Sequence, residues 1–429
     1  MYRLIRRLFC LAVDLFYRGR ALGGDIPDTG PVILVANHPN GLIDPIMVMA
    51  STDRPVRFLA KEPLFRMPVI GWLLRSVKAL PVYRASDGAN TADNLETFRA
   101  VTESMLQGEL ICLFPEGISH DEPALQPLKT GAARMALTAE AARSFDLNVQ
   151  IVPIGLHLRE KGRFRSDAAT WIGDPISIGP ELADTYMSDP REAARLLTEL
   201  IDEGIRSVTV NLNGWEDLRL LELAGRIWTD ENDPVVRLKV MADAERTFLQ
   251  RSPQLVASLR DRLIAFADAL ERLGIDIEDL DLRWRLGPTT IFVCRNIVAL
   301  LVGAPIAFLG AALYFLPYQL VNLVARMKRP DADVVASIKV LASMLFFTVW
   351  QVAIVVFLWL EVGGVWASII GAVSPFAGLY FHHFWERRSE AVRQASYLVR
   401  LPLRKRLQAA LKRERDALRS EIDELSKIL

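Results

Sequence analysis

The sequence predicts an α/β fold, a sheet flanked by helices, which is followed by a helical region and by C-terminal membrane helices. Over residues 25–184, short apolar runs rich in β-branched residues alternate with amphipathic helical segments. This alternation is typical of a sheet with helices packed against it. Residues 185–290 contain amphipathic helical patterns without strands, and residues 291–384 contain long uncharged stretches that indicate membrane helices.

The composition argues against several classes of protein. Of the 429 residues, 51% are hydrophobic, and 51 basic residues balance 51 acidic ones. Domains that bind nucleic acid usually carry a basic excess, so no nucleic-acid partner is expected. The three cysteines, Cys10, Cys112 and Cys294, lack the spacing of a zinc site or of a disulfide framework. They fit a reducing compartment, and no metal site is predicted.

Residues 1–24 are predicted to form an amphipathic interfacial helix. Five arginines and one aspartate occur among the first twenty residues, mostly on one helical face. This pattern favours a helix that lies on an anionic membrane surface. The alternative is a soluble helix that packs on its own domain. The opposite, apolar face comprises Leu4, Ile5, Leu8, Phe9, Ala12, Leu15 and Phe16.

Strands and helices of the following regions are predicted from their periodicity and from the turn residues that bound them. Four helices with charged outer faces make residues 185–290 a helical appendage between the α/β domain and the membrane region. The expected strands cover residues 31–36, 57–60, 79–83, 109–114 and 149–154, and the appendage helices cover 191–206, 215–228, 234–250 and 254–273.

The membrane region contains three uncharged stretches. Residues 340–360 and 362–381 are each long enough to span a bilayer, and Gly363-Gly364 between them predicts a hairpin over 340–381. The stretch 296–325 contains two prolines and is either re-entrant or spanning. Basic clusters follow the first and third stretches, and both lie on the preferred cytoplasmic side only if the first stretch re-enters. We expect this even topology; three spans are the alternative.

The C-terminal residues 385–429 are predicted to form a charged helix with one apolar stripe. Such a helix either pairs with another chain or folds on the helical appendage.

The candidate catalytic residues are His38 and Asp44, in a loop just past the first expected strand. Strand ends of α/β proteins commonly carry functional sites. A histidine can take a proton from a hydroxyl group, and a carboxylate on its other ring nitrogen fixes the tautomer and stabilises the imidazolium. No serine or cysteine nucleophile accompanies the pair, so a substrate hydroxyl would have to attack. Alone, two such residues in a loop are weak evidence.

Four sequence blocks in a fixed order strengthen that evidence. The blocks are Asn37-His38 with Asp44, Tyr83-Arg84, Phe114-Pro115-Glu116-Gly117 with Ser119, and Val152-Pro153-Ile154-Gly155. Together they resemble the lysophospholipid/glycerol-phosphate acyltransferase superfamily, over roughly residues 1–180. The resemblance implies a 1-acylglycerol-phosphate acyltransferase-like catalytic domain with a glycerol-phosphate-acyltransferase-like sheet flanked by helices.

The layout is most similar to that of the fungal-type glycerol-3-phosphate/dihydroxyacetone-phosphate acyltransferases. Their family commonly places four residues between the histidine and the aspartate, whereas five separate His38 from Asp44 here. A helical insert, C-terminal membrane segments, and residues 207–210 and 331–341 also look like this branch. These features favour glycerol 3-phosphate as the acceptor.

The resemblance also implies roles for individual residues. His38 would be the general base, oriented by Asp44, and Arg84 would hold the acceptor phosphate because a guanidinium group matches phosphate oxygens. Glu116 would grip a hydroxyl of the acceptor. Lys61 and Lys129 are equally interpretable as solvated surface residues, and Ser119 as a turn cap. The further expected substrate-binding residues are Asn40, Lys61, Gly117, Ser119, Lys129 and Pro153, the last packing the pocket wall.

The expected function is that of a membrane-bound acyltransferase in phospholipid synthesis. It would move a fatty acyl group from acyl-CoA or acyl-carrier protein to the hydroxyl of glycerol 3-phosphate. The alternatives are an acceptor such as 1-acylglycerol 3-phosphate or another lysophospholipid, and a non-catalytic lipid-binding protein on the same fold. No metal or redox cofactor is expected. The expected partners are the lipid bilayer, the acyl donor and the glycerol-phosphate acceptor, with the catalytic domain of an integral membrane protein facing the cytoplasm.

Overall fold

The computed structural model of the protein describes residues 2–84, 94–229, 231, 233–281, 286–328, 331–400 and 405–426. The chain divides into two units. The sheet unit comprises Met1–Asn213 and Lys328–Val340, and the helical unit comprises Gly214–Met327 and Leu341–Leu429. The sheet unit therefore extends past residue 184, the expected end of the α/β domain, and it includes a short segment of the predicted membrane region.

The sheet unit is built on an eight-stranded sheet in the order β1-β7-β6-β2-β5-β3-β4, with β8 paired to β6. Strands β6, β2, β5, β3 and β4 run parallel to one another, and β7 is antiparallel to β6. The central strand is fully buried because all five of its residues are apolar. The strands are β1 (Tyr17–Gly23), β2 (Val32–Ala36), β3 (Val56–Lys61), β4 (Leu80–Val82), β5 (Leu110–Leu113), β6 (Gln150–Leu158), β7 (Ser166–Ile172) and β8 (Ile176–Ser177).

Helices cover this sheet, as the predicted α/β class requires. Helices α5, α6 and α8 pack their apolar residues against one face of β2, β5 and β6 to form the main core. The helices of the sheet unit are α1 (Tyr2–Phe16), α2 (Ile43–Ala50), α3 (Pro63–Arg66), α4 (Pro68–Ser76), α5 (Asn94–Leu106), α6 (Gly131–Ala141), α7 (Pro180–Ser188) and α8 (Pro190–Val208).

Helix α8 explains why the sheet unit is longer than expected. Its residues Leu197, Ile201 and Ile205 are buried in the main core. Gly155 on β6 makes room for the helix, because a Cβ atom there would lie 1.8 Å from the carbonyl oxygen of Val208. The assignment of this helix to the appendage was based on its charged outer face and is wrong, since its inner face packs on the sheet.

The N-terminal region differs from the predicted helix over residues 1–24. Helix α1 ends at Phe16, and the next seven residues form β1, which pairs in parallel with β7. Arginines and glycines interrupt the apolar alternation of β1, and its partner lies about 150 residues away in the sequence. The helix docks on its own domain, since Arg6 donates hydrogen bonds to the carbonyl oxygens of Met49 and Thr52 at 3.0 and 2.7 Å.

Docking leaves part of the apolar face of α1 exposed. Ile5, Val13 and Phe16 are buried, whereas a second row of leucines is 42–62% exposed. The contact with a membrane surface therefore remains a prediction, and it applies to these leucines: Leu4, Leu8, Leu11 and Leu15.

The helical unit begins with α9 (Trp215–Trp228), α10 (Pro234–Arg251) and α11 (Pro253–Leu273), followed by a short 3-10 helix, Ile277–Asp281. The tail helix α15 (Lys405–Ser426) packs on α9 and α11. The buried residues Leu418 and Ile422 belong to its apolar stripe. Of the two alternatives for the tail, the structure therefore has the helix folded on the appendage.

Three further helices, α12 (Leu286–Lys328), α13 (Ala332–Val362) and α14 (Gly364–Arg400), contain the uncharged stretches. Within the described residues, Cys294–Met327, Ala332–Val362 and Gly364–Arg388 are long and apolar enough to cross a membrane. A Cβ atom at Gly310 would lie 2.0 Å from the carbonyl oxygen of Ala377, a close approach that is common between membrane helices. Gly363, with φ +84°, lies between α13 and α14 at the expected hairpin tip.

Candidate active site

Three loops meet at one edge of the sheet because β5, β2 and β6 are neighbouring parallel strands. The side-chain amide of Asn37 ties two of these strands together, donating to the carbonyl oxygen of Leu156 at 3.0 Å and accepting from its N–H at 2.7 Å. The backbone N–H of His120 donates to the carbonyl oxygen of His38 at 3.2 Å. We refer to the His38 loop (37–42) after β2, the Glu116 turn (114–120) after β5 and the β6–β7 loop (159–165).

The structure brings the two predicted catalytic residues together. Nδ1 of His38 lies 2.8 Å from Oδ2 of Asp44. Because a carboxylate only accepts hydrogen bonds, Nδ1 carries the proton, and Nε2 keeps a lone pair. The imidazole stacks on the Phe114 ring at a centroid distance of 4.0 Å, and its side chain is 18% exposed. Within the described part of the chain Nε2 has no hydrogen-bond partner, so it can accept a proton from a substrate.

Asp44 is fully buried in the first turn of α2, where the helix dipole favours a negative charge. Its Oδ2 also accepts a 2.7 Å hydrogen bond from the backbone N–H of Asn40. Burial raises the pKa of Asp44 above its usual value, although hydrogen bonds from His38 and Asn40 and the positive charge of Lys161 oppose this. The carboxylate charge is therefore costly in this position, and His38 is its main compensation.

Glu116, which was expected to bind an acceptor hydroxyl, makes its hydrogen bonds to groups of the protein. Its carboxylate is buried and accepts hydrogen bonds from the backbone N–H of His38 at 2.8 Å, from Nε2 of His120 and from the backbone N–H of Gln126 at 2.8 Å. Both of its oxygens are thus engaged by protein groups. A direct grip on an acceptor hydroxyl does not fit this arrangement, and Glu116 instead holds the Glu116 turn against the His38 loop.

Two cationic side chains converge on the same turn. Arg84 donates from Nη1 to the carbonyl oxygen of Gly117 at 2.5 Å. A Cβ atom at Gly117, whose φ is +73°, would lie 2.6 Å from Nζ of Lys129, so only glycine leaves room for that ammonium group. Lys129 is exposed. A guanidinium and an ammonium group next to one turn are the kinds of donor that bind phosphate.

Three other predicted binding residues, Asn40, Pro153 and Lys61, differ in their exposure. Asn40 is fully buried, with Nδ2 3.4 Å from the hydroxyl oxygen of Tyr17. Pro153 is buried in β6, where a Cβ atom on Gly204 of α8 would lie 2.7 Å from its Cγ. Both residues therefore pack inside the protein, and their expected roles, including that of Pro153 in the pocket wall, stay predictions. Lys61 is exposed at the end of β3.

Two residues near the site, Tyr17 and Asp333, were not predicted from the sequence. Tyr17, fully buried at the start of β1, donates from its hydroxyl to the carbonyl oxygen of Lys161. No sequence signal marked Tyr17, because its segment was predicted as a continuous helix. Ser119 donates from Oγ to Oδ2 of Asp333 at 2.5 Å, so its hydroxyl serves a contact within the protein. Asp333 had been assigned to the membrane region alone.

Comparisons with known proteins agree with these features. Residues 23–157 match the family model described as Acyltransferase. Glycerol-3-phosphate O-acyltransferase 2 of Saccharomyces cerevisiae is 37% identical over 158 residues, which cover 37% of this chain and 21% of that protein. Glycerol-3-phosphate O-acyltransferase 1 of the same yeast is 24% identical over 443 residues, which cover 78% of this chain and 58% of that protein.

A bacterial relative is also similar. Lyso-ornithine lipid O-acyltransferase of Rhizobium meliloti is 30% identical over 182 residues, which cover 41% of this chain and 58% of that protein. The chain spans less than two thirds of the length of each of these three relatives. The family model covers the strands and loops that carry His38, Asp44, Arg84 and Glu116. Residues 23–157 are therefore similar to the acyltransferase family model over the part of the chain that carries these residues.

Proposed function

We propose that this protein is a membrane-bound O-acyltransferase that transfers a fatty acyl group from acyl-CoA or acyl-carrier protein to a hydroxyl group of glycerol 3-phosphate in phospholipid synthesis. The observation that carries the proposal is the His38–Asp44 pair. The 2.8 Å hydrogen bond at Nδ1 leaves Nε2 with a lone pair at the sheet edge. The geometry disfavours a non-catalytic lipid-binding protein, which has no use for a base oriented by a costly buried carboxylate.

In the proposed reaction, the acceptor oxygen attacks the carbonyl carbon of the thioester while its proton passes to Nε2 of His38. The carbon–sulfur bond then breaks, and the leaving thiolate takes the proton from His38. Asp44 stabilises the intermediate imidazolium, and the stack on Phe114 restricts rotation of the ring. A positioned general base of this kind accelerates a reaction by about 10²–10⁴-fold.

Arg84 and Lys129 would bind the phosphate of the acceptor. Their approach to Gly117 places both charges on the turn that Glu116 ties to the His38 loop. A phosphate held there would carry its hydroxyl toward His38. The proposed reaction needs no metal or redox cofactor, and we expect none.

The names of the two yeast relatives support glycerol 3-phosphate as the acceptor, and so does the five-residue gap between His38 and Asp44. A lysolipid is the second candidate, because the bacterial relative is named as a lyso-ornithine lipid acyltransferase.

Three candidate membrane helices support placement in a bilayer. Lys328–Val340 belongs to the sheet unit, so this stretch would lie on the same membrane side as the catalytic domain. Arg326, Lys328 and Arg329 cluster at its start, and basic clusters prefer the cytoplasmic side. We therefore propose that the catalytic domain faces the cytoplasm.

The test is acyl transfer by the purified full chain in detergent. Labelled acyl-CoA and acyl-carrier protein are each offered with glycerol 3-phosphate, 1-acylglycerol 3-phosphate or lyso-ornithine lipid. We expect label in glycerol 3-phosphate and a loss of at least about 10²-fold in His38→Ala, whereas His383→Ala, at an exposed histidine, retains activity. Undiminished transfer by His38→Ala would overturn the catalytic proposal, and transfer to a lysolipid alone would replace the acceptor.

A further inference from the structure

The first residues of α13 lie at the candidate active site. Lys328–Val340 belongs to the sheet unit, although α13 continues as a candidate membrane span. We refer to residues 331–340 as the docking segment. Four of its residues are at most 8% exposed, and two of them are polar: Asp333, Ala336, Ser337 and Val340.

The docking segment makes one hydrogen bond with each of the three loops at the sheet edge. These bonds involve two side chains that accept and one that donates. Ser119 of the Glu116 turn donates to Asp333 at 2.5 Å, the N–H of Leu42 in the His38 loop donates to Oγ of Ser337 at 3.0 Å, and Nζ of Lys339 donates to the carbonyl oxygen of Gly162 in the β6–β7 loop at 2.6 Å.

The order of these contacts along α13 matches the order of the strands in the sheet. Asp333, Ser337 and Lys339 contact the loops after β5, β2 and β6, which are adjacent in that order. Adjacent strands lie about 4.8 Å apart, so the three strand ends span about 10 Å. Six residues of α-helix rise by about 9 Å. The docking segment therefore has the length needed to cross all three strand ends.

The segment packs against the His38 loop at Gly41, one of the five residues between His38 and Asp44. A Cβ atom at Gly41 would lie 3.3 Å from both the carbonyl oxygen of Asp333 and Oγ of Ser337. Gly41 has φ +28°. The glycine thus lets the lengthened loop close against the helix.

We propose that the docking segment completes the active site and that Ser337 and Asp333 are positioning residues. Ser337 holds the loop that joins the base to its orienting carboxylate, and Asp333 holds the turn that carries the phosphate-binding position through Ser119. Neither residue contacts the reacting atoms. This inference rests on the proposed function, because it assigns the effect to the geometry of His38 and Asp44.

The kinetic test uses the full chain with Ser337→Ala and Asp333→Asn. A displacement of the order of an ångström at a reacting group can cost about 10²-fold in rate, so we expect kcat per folded molecule to fall by about tenfold or more in both variants. The acceptor KM should change by less than about twofold in Ser337→Ala and should rise in Asp333→Asn, because Asp333 holds the turn that carries the phosphate-binding position. The matched controls are Ser368→Ala, whose hydroxyl donates to Gly364 in its own helix, and Asp184→Asn at an exposed position in α7. Both controls should retain kcat.

A double-substitution cycle separates positioning from general destabilisation. If Asp333 acts through Ser119, the variant with both Ser119→Ala and Asp333→Asn should be no slower than the slower single variant, because contacting residues are not additive. Additive losses, or kcat values for Ser337→Ala and Asp333→Asn that equal the wild-type value, would overturn the proposal.

Hydrogen exchange supplies a readout that needs no activity. Loss of the Ser337 hydroxyl frees the amide of Leu42, so peptides covering residues 37–44 should exchange at least about tenfold faster in Ser337→Ala than in Ser368→Ala. Unchanged exchange would refute the docking role. If the wild type acylates none of the acceptors, the proposed function fails and exchange alone decides this inference. If the wild type is active and the variants match it, only the inference fails.

Discussion

Replacing Asp44 with asparagine removes one charge from the candidate active site and leaves its shape almost unchanged. Oδ2 of Asp44 accepts from Nδ1 of His38 at 2.8 Å and from the N–H of Asn40 at 2.7 Å. An asparagine carbonyl oxygen in the same place can accept both hydrogen bonds, so His38 keeps its tautomer. The substitution removes the negative charge beside the imidazolium that forms during the reaction, and it places the amide NH2 group at the position of Oδ1, which is buried without a hydrogen-bond partner among the described residues.

The size of the effect follows from the separation of the two charges. At about 4 Å and an effective dielectric constant of about 20, unit charges attract by about 4 kcal/mol. Each factor of ten in rate corresponds to about 1.4 kcal/mol, so kcat should fall about a thousandfold. Asp44 is fully buried and His38 is 18% exposed, so solvent screens this pair weakly.

Stability should change in the opposite direction. Burial raises the pKa of Asp44, which means that its charged form costs free energy in the folded protein at neutral pH. Asp44→Asn removes this cost. The midpoint of thermal unfolding should therefore stay unchanged or rise while activity is lost.

The assay compares kcat for acyl transfer and the unfolding midpoint of the wild type and Asp44→Asn in the same detergent. Asp184→Asn, at an exposed aspartate in α7, is the matched control and should change neither quantity. Retention of more than about a tenth of wild-type kcat would refute the electrostatic argument. A parallel loss of activity and stability would show instead that Asp44 is needed for folding.

Three further predictions follow from other positions and conditions. The folded protein binds the proton of Asp44 more tightly than the unfolded chain does. The wild type should therefore lose stability relative to Asp44→Asn as pH rises from about 4 toward neutrality. Unfolding midpoints of the two proteins that show no pH-dependent difference across that range would contradict this. Arg84→Ala should raise the KM for glycerol 3-phosphate by about tenfold or more, because a charged hydrogen bond contributes about 1.5–3 kcal/mol, and Arg84→Lys should recover part of it; an equal rise in the KM of the acyl donor would argue against phosphate binding. Gly155→Ala should lower the free energy of unfolding by at least about 1–3 kcal/mol, since its Cβ atom would lie 1.8 Å from Val208; denaturant unfolding beside Gly179→Ala, where the space is open, measures this, and equal stabilities would be the contrary result.

Much of the sheet could be predicted because its central strands can be recognised from their own residues. β2 and β5 are short apolar runs, and their burial on both faces follows from that composition. β1 could not be found in the same way, since arginines and glycines interrupt it and its stability comes from pairing with the distant β7. The inner face of α8 was likewise hidden, because amphipathicity shows that a helix has an apolar face but not which surface covers it.

The candidate site, like the fold, could be predicted from the sequence only in part. The pairing of His38 with Asp44 was predicted from their loop at a strand end together with the other three sequence blocks, and the structure has the two side chains 2.8 Å apart. The surroundings of Glu116 could not be predicted, since its sequence context showed a carboxylate in a turn but not the three donors that contact it. Burial and hydrogen bonding depend on what the rest of the chain places around a residue.

The sequence by itself predicted the resemblance to acyltransferases, the pairing of His38 with Asp44, Arg84 as a candidate phosphate-binding residue, and the helices apolar enough for a membrane. These are properties of adjacent residues or of local composition. Only the tertiary structure decided that the start of α13 closes the active-site edge. Leu42 and Ser337 are 295 residues apart, and Ser119 and Asp333 are 214 apart. Contacts over such distances arise from the packing of the whole sheet unit, and no local pattern in either segment encodes them.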